Sequence, residues 1–182
     1  SSGSASGAIS LNVGSNTITT IVTAGDGTTS QTYTTTVTRA AASQTITFNN
    51  PGAQNFGTTP TLTATATSGL TVSFSSSTTG VCTITSGGAL TFVSTGTCTI
   101  DADQAGDSSY SAAPTVTQSF AVNAVVPGTP TIGTATAGDG QATVTFTAPA
   151  STGGATITNY EYSTDGGTTW TACGFREVPD SN

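Results

Sequence analysis

Apolar side chains recur at every second position along most of this chain, and no stretch shows helical spacing. Ile9, Leu11 and Val13 alternate with small or polar residues. Ile18, Thr20, Val22 and Ala24 form one face of a second run, and Tyr33, Thr35 and Val37 alternate in a third that ends at Arg39. Side chains two apart in an extended chain share a face, so this period predicts three strands, with Gly25-Asp26-Gly27 turning between the last two. Between 44 and 123 the pattern returns about seven times. The runs are Ile46 and Phe48; Leu62, Ala64 and Ala66; Leu70, Val72 and Phe74; Val81-Cys82-Thr83-Ile84; Leu90 and Phe92; Thr97-Cys98-Thr99-Ile100 with Ala102; and Val116 to Val122. After Pro127, Ile132 leads into Gly138-Asp139-Gly140. A strand follows through Ala142, Val144, Phe146 and Ala148, and Pro149 ends it. Tyr160 and Tyr162 alternate in another strand, Asp165-Gly166-Gly167 reads as a hairpin turn, and Trp170 follows.

The fold class is therefore all-β, arranged as sandwiches in series: one complete, spanning 44–123, and two partial, spanning 1–41 and 127–182. Ala40-Ala41-Ala42-Ser43 and Asn123-Ala124-Val125-Val126-Pro127 are the linkers. Three strands in the first stretch are too few to bury a core of their own.

Composition narrows the function. Charged residues are 6% of the 182, against about 25% in an ordinary soluble domain. Lys, His and Met are absent, Arg39 and Arg176 are the two cations, and the net charge is −7. Such a chain has no footprint for nucleic acid and no polybasic patch for anionic lipid. No stretch approaches the roughly 20 apolar residues of a membrane helix. Without His there is no Ser-His or Cys-His pair, and no phosphate-cradling glycine motif occurs, so the chain is expected not to be an enzyme. Lys is also needed for isopeptide crosslinks. Thr and Ser take the exposed positions instead, as at Thr61, Thr63, Thr65 and Thr67, and suit a pleated surface.

Cys82 shares a face with Ile84, and Cys98 with Ile100, so if the isoleucines are buried the cysteines are too. A bridge between them closes a loop of about 17 residues and stabilises by roughly 3 kcal/mol in the chain-entropy model. A redox or metal pair is the alternative, but a metal wants two further Cys or His ligands, and 44–123 has none. A structural disulfide is favoured, and with it an oxidising compartment. Cys173 is left over, either free or paired outside this stretch or with another chain.

Three resemblances add to this reading. The residues GSASGAISLNVGSNTITTIVTAGDGTTSQTYTTTVTRA resemble the C-terminal half of the bacterial cadherin-like β-sandwich repeat (1–40), matching at Leu11, Val13, Gly14, Asn16 and Ile18, at Ala24 to Thr28, and at Thr32 to Arg39. The opening QTITF, the strand SGLTVSFSSS, then CTITSGGALTFVSTGTCTI and QAGDSSYSAAPTVTQSF make 44–123 similar to a complete bacterial Ig-like repeat. PGTPTIGTATAGDGQATVTFTAPASTGGATITNYEYSTDGGTTWTA resembles the first half of a fibronectin type III domain (127–172), with Phe146 as the large core aromatic and Tyr160 and Tyr162 on its third strand. After Ala172 the text departs from that pattern.

These resemblances imply a structural or adhesive repeat segment of a large secreted or cell-surface bacterial protein, located extracellularly, with neighbouring domains or identical chains as partners and a surface glycan or protein as a possible ligand. One alternative is an accessory binding module of a secreted carbohydrate-active enzyme, with Tyr160, Tyr162 and Trp170 as an exposed aromatic row beside Glu161 and Asp165. Another is a self-assembling filament in which the partial sandwiches of neighbouring chains complement each other. No cofactor is expected, calcium excepted: Asp101 and Asp103 share one strand face, opposite Ala102, and Asp107 follows in the turn. The simpler expectation for these three is a solvated strand end.

Overall fold

The computed structural model describes residues 6–173, all of them in strands, turns or irregular segments, with no helix among them. The strands are β1 (Gly14–Thr23), β2 (Ser30–Arg39), β3 (Ile46–Thr47), β4 (Gln54–Asn55), β5 (Thr65–Ala66), β6 (Ser73–Ser76), β7 (Cys82–Ile84), β8 (Leu90–Phe92), β9 (Gly96–Asp103), β10 (Val116–Asn123), β11 (Thr131–Gly138), β12 (Gln141–Thr147), β13 (Glu161–Tyr162) and β14 (Thr171–Ala172). One sheet has four strands in the order β4-β10-β9-β6, and the others are the pairs β1-β2, β3-β5, β7-β8, β11-β12 and β13-β14.

The first stretch forms one long antiparallel ribbon, β1 with β2, in register from Gly14↔Arg39 to Thr23↔Ser30. Alternation sorts its faces. Ile18, Val22, Tyr33 and Val37 share one face, while Ser15, Thr17, Thr19, Thr34, Thr36 and Thr38 stand on the other. The expected strand at Ile9, Leu11 and Val13 does not form. The Asn16 side chain takes its place, accepting from the Asn12 N–H at 2.8 Å and donating to the Asn12 carbonyl at 2.7 Å. Arg39 donates to the Leu11 carbonyl. Backbone groups satisfied by side chains have no need of a ladder. At the hairpin turn Asp26 accepts from the Thr28 and Thr29 amides and the Thr29 hydroxyl.

Two compact units are assembled from noncontiguous stretches: 1–49 with 63–74 and 101–118, and 50–62 with 75–100 and 119–182. The division passes through β6, β9 and β10 and so does not follow the two linkers. In the first unit Ile46, Phe48, Val72, Phe74 and Ala102 are buried, with Phe48 and Phe74 meeting edge to face at 5.3 Å. Gln44 is buried among them at 4% exposure, and its polar atoms are all engaged. Its amide donates to Gln104 Oε1 and to the Ser111 carbonyl, both at 2.7 Å, and its Oε1 accepts from the Ser68 hydroxyl at 2.5 Å. In the second unit Leu62, Cys82, Leu90, Phe92, Cys98, Ile100, Phe120 and Val122 form the core, with Phe92 against Phe120 at 6.5 Å.

Two strands appear where alternation gave no signal. β4 is the polar pair Gln54–Asn55, and it runs parallel to the end of β10, pairing Val122↔Gln54 and Asn123↔Asn55. β11 is built from Thr, Ala and Gly, and a bulge between Ile132 and Ala135 bends it. Gly133 is required there, because a Cβ would come within 2.5 Å of the Thr145 hydroxyl, which receives the Thr134 N–H at 2.9 Å.

Two measurements check this account. Gln44→Leu removes hydrogen bonds to the half-buried Gln104 and Ser68 side chains and to the Ser111 carbonyl, and is expected to cost about 1–3 kcal/mol in urea unfolding; an unchanged midpoint would contradict the network. At the ribbon turn the Thr29 hydroxyl and the Thr29 and Thr28 amides lower the Asp26 carboxyl from 3.8 to about 2. A depressed carboxyl stabilises the turn above its unfolded value and loses that effect as pH falls through the folded one. The Asp26 carboxyl carbon in an NMR titration should therefore titrate near 2, with the Thr29 amide shift following it, and Asp26→Asn should abolish the amide response.

Candidate functional site

Three places in the fold concentrate sequence signals: the cysteine pair, the loop at Gly153-Gly154, and the hairpin carrying Tyr160, Tyr162 and Trp170. Cys82 opens β7 and Cys98 lies within β9, so their bridge ties the β7-β8 pair to the four-stranded sheet. The Cα atoms are 5.7 Å apart, both sulfurs are fully buried, and Ile100 beside them is 0% exposed. Ile84 is only half-buried, so the face it shares with Cys82 enters the core at the cysteine end. The Ser76 hydroxyl donates to the Cys82 carbonyl at 2.8 Å and also lies 3.5 Å from Cys82 Sγ. Thr78 Oγ1 accepts the Thr99 amide at 2.8 Å. The disulfide is thus set among hydroxyls that fix the chain on both sides of it.

The second place joins the stretch after Pro127 to the core that precedes it. The Val125 N–H bonds the Gly153 carbonyl at 3.0 Å, and the Gly128 N–H bonds the Ser151 carbonyl at 2.9 Å. The Thr95 amide and hydroxyl both donate to the Gly154 carbonyl, at 3.3 and 3.1 Å. Both glycines have positive φ, +73° at Gly153 and +89° at Gly154, a conformation that disfavours other residues. A Cβ on Gly153 would sit 2.1 Å from the Val125 carbonyl oxygen, and one on Gly154 would sit 2.4 Å from the Phe56 ring. Phe56 is held in turn by its N–H to the Asn123 carbonyl at 2.9 Å. The sequence marks Gly153-Gly154 as a loop, but nothing in it points to Phe56 or Thr95 as its seat.

The third place separates the three candidate aromatics. Glu161 pairs with Ala172 and Tyr162 with Thr171, so Trp170 stands on the side of Glu161, away from the face of Tyr160 and Tyr162. Tyr160 is half-buried and packs against Phe146 with ring centres 4.8 Å apart and planes tilted by 53°, whereas Tyr162 is 51% and Trp170 61% exposed. Tyr162 and Trp170 thus fall on two surfaces, with Tyr160 bordering both: Tyr160, Tyr162 and Cys173 line an apolar groove with Ile132, Val144 and Phe146, and Trp170 shares a cleft with Asn159, Tyr160 and Glu161. Asp165 closes the hairpin loop by accepting from the Thr169 hydroxyl at 2.6 Å, the Thr169 and Thr168 amides at 2.9 and 3.0 Å, and the Ser163 hydroxyl at 2.7 Å. Those bonds, the Thr169 hydroxyl foremost, hold its carboxyl well below the usual range. Cys173 carries a free, half-buried thiol, and its N–H bonds the Tyr160 carbonyl at 2.7 Å.

The candidate calcium ligands are not brought together. Asp101 and Asp103 flank the fully buried Ala102 and face outward, as their alternation requires. Asp101 accepts the Thr117 hydroxyl and Asp103 the Thr115 hydroxyl, each at 2.5 Å. Asp107 instead caps its own turn, accepting the Ser109 and Tyr110 amides at 2.7 and 2.9 Å. Among the described residues no three acidic, His or Cys side chains form a group able to hold a metal ion. Calcium wants six to eight oxygens converging on one point, and this arrangement does not supply them.

Residues 1–40 match the family of cadherin-like beta sandwich domains. No curated protein and no solved structure matches the chain. Among the described residues no helix is long and apolar enough to cross a membrane.

The glycine seat yields a direct test. Gly154→Ala places a methyl group against Phe56 at a positive φ, a strain of about 1–3 kcal/mol. The Thr95 and Val125 amides should then exchange with deuterium on the order of 10- to 100-fold faster than in the parent, while core amides such as Ile100 keep their protection. Equal exchange at Thr95 and Val125 in both chains would show that the loop is not held there.

Proposed function

We propose that this chain is a structural and adhesive repeat segment of a large secreted or cell-surface bacterial protein, a non-catalytic spacer that works outside the cell. The observation that carries the reading is an all-β chain whose residues 1–40 match the cadherin-like β-sandwich family, with buried β structure continuing beyond residue 40. On this reading 44–123 is an Ig-like repeat and 127–172 the first strands of a fibronectin type III domain, as the sequence resemblances imply. A buried disulfide suits an oxidising exterior. The anchored Gly153-Gly154 loop suits a module that transmits tension, because it replaces a free linker with backbone hydrogen bonds. The partners are neighbouring domains of the same protein, with no nucleic acid and no cofactor.

Assembly with identical chains is a second reading, favoured by two exposed apolar faces. One is the face of the β1-β2 ribbon where Val22 and Tyr33 are exposed beside the half-buried Ile18 and Val37, and the other is the groove at Ile132, Val144 and Tyr162. Sedimentation of the chain across a concentration series separates the readings: a monomer at every concentration removes the second.

Force spectroscopy tests the spacer. The bridge shields a sequence separation of 16 residues from extension. Stretching the reduced chain should therefore release roughly 55 Å more contour length than stretching the oxidised one, at up to about 3.6 Å per residue. The oxidised middle domain should unfold as one discrete event. A chain that extends without such an event has no mechanical module, and the spacer reading fails.

A further inference from the structure

The cleft at Trp170 is a built feature that a spacer does not need. It is open, about 620 Å³ in volume, and is walled by Pro127, Pro130 and Pro149, with Asn159, Glu161 and Trp170 among its lining side chains. That volume falls within the roughly 300–1,000 Å³ of ordinary small-ligand sites. Trp170 is the single Trp of the chain, and most of its surface meets solvent. Its indole stands beside the hairpin loop, where a Cβ on Gly167 would lie 3.7 Å from its Cζ2. That loop is closed by the four hydrogen bonds to Asp165 and by the Gly167 N–H on the Ser163 hydroxyl at 2.8 Å. Beside the indole, the Asn159 amide donates to Glu161 Oε1 at 3.3 Å; the carboxylate and the amide between them offer acceptors and donors to a polar ligand.

We propose that this cleft binds a segment of a neutral oligosaccharide, one pyranose ring lying on the Trp170 indole and its hydroxyls bonding Glu161 and Asn159. The chemistry selects that ligand from three sides. A flat, exposed indole offers an apolar face to a sugar ring. The carboxylate accepts and the amide both donates and accepts, and vicinal hydroxyls can answer all of these at once. A proline-rich peptide offers mainly carbonyl acceptors and would leave the carboxylate desolvated and unpaired, a costly state. Among the described residues no cation lines the cleft, and the chain's net charge of −7 disfavours acidic glycans. The prolines stiffen the walls, and the open form of the cleft lets a polymer pass through it. This binding role goes beyond the spacer and does not rest on it: the Trp170 surface stands whether or not the chain bears tension.

Because Trp170 is the only indole, its emission reports the site directly. The full chain is titrated with cellohexaose, mannohexaose and laminarihexaose, with polygalacturonate as the acidic comparison and a poly-L-proline peptide as the competing class. The expected result is a saturable change in Trp170 emission with at least one neutral hexasaccharide and none with polygalacturonate. By calorimetry, Trp170→Ala should abolish the binding. Glu161→Gln should weaken it about tenfold, as loss of one charge-assisted hydrogen bond does. Both side chains are exposed, and an unchanged circular dichroism spectrum and melting point confirm that the variants fold. Emission that stays flat with all three neutral sugars overturns the proposal. So does a response to poly-L-proline alone, or sugar binding that survives Trp170→Ala. The spacer reading is judged separately, by force, so either can fail without the other.

Discussion

Burying Cys82 and Cys98 face to face between two sheets is the constraint on which the middle of this protein depends. The strands around them are short, three residues each in β7 and β8, and short strands hold few ladder bonds. Large apolar side chains are also few, and much of the remaining sequence is Thr, Ser, Ala and Gly. A core of that kind gains little from bulk, so a covalent tie that limits the unfolded chain carries a large share of net stability. The hydroxyls of Ser76 and Thr78 then satisfy the backbone on either side of the bridge without enlarging the core. In the other unit the corresponding economy is polar, with Gln44 engaging Gln104, Ser111 and Ser68 in place of further apolar volume.

Hydroxyls do most of the local organisation elsewhere. Asp26, Asp107 and Asp165 each close a turn by accepting from amides two to four residues on, two of them with a Thr hydroxyl as well. Asp101 and Asp103 are engaged across the sheet by Thr117 and Thr115. With no Lys to pair with, the carboxylates find hydroxyl and amide partners instead. This is why an acidic run that suggests a cation site in the sequence resolves into separate local contacts in the fold.

What the sequence discloses follows from how each feature is encoded. The ribbon β1-β2, the cysteine strands and the Asp165 hairpin are written as alternation plus turn residues, and they stand where that pattern places them. The bridge was legible because side-chain direction in a strand is fixed by parity. β4 was not, since Gln54 and Asn55 carry no apolar period and their pairing partner lies some 70 residues on, at the end of β10. A false strand at Ile9 to Val13 came from the reverse situation, where the alternation is present but Asn16 claims the backbone. The placement of Trp170 also turns on parity: an even or odd step across a hairpin depends on its register, and the register set by the Asp165 loop puts Trp170 on the opposite face from Tyr162, while Tyr160 borders its cleft. The seat of Gly154 on Phe56 and Thr95 joins residues about 100 and 60 positions apart, and no local pattern records such a meeting.

The Arg39 contact at the end of β2 has a consequence for resistance to proteolysis. A protease that cuts after basic residues finds only Arg39 and Arg176 in this chain. To be cut, a peptide must lie extended and unpaired in the enzyme's cleft, but Arg39 is laddered to Gly14 and its guanidinium is committed to the Leu11 carbonyl. Replacing lysine by threonine across a whole surface thus removes nearly every address such an enzyme reads, and the ribbon keeps one of the two that remain folded out of reach.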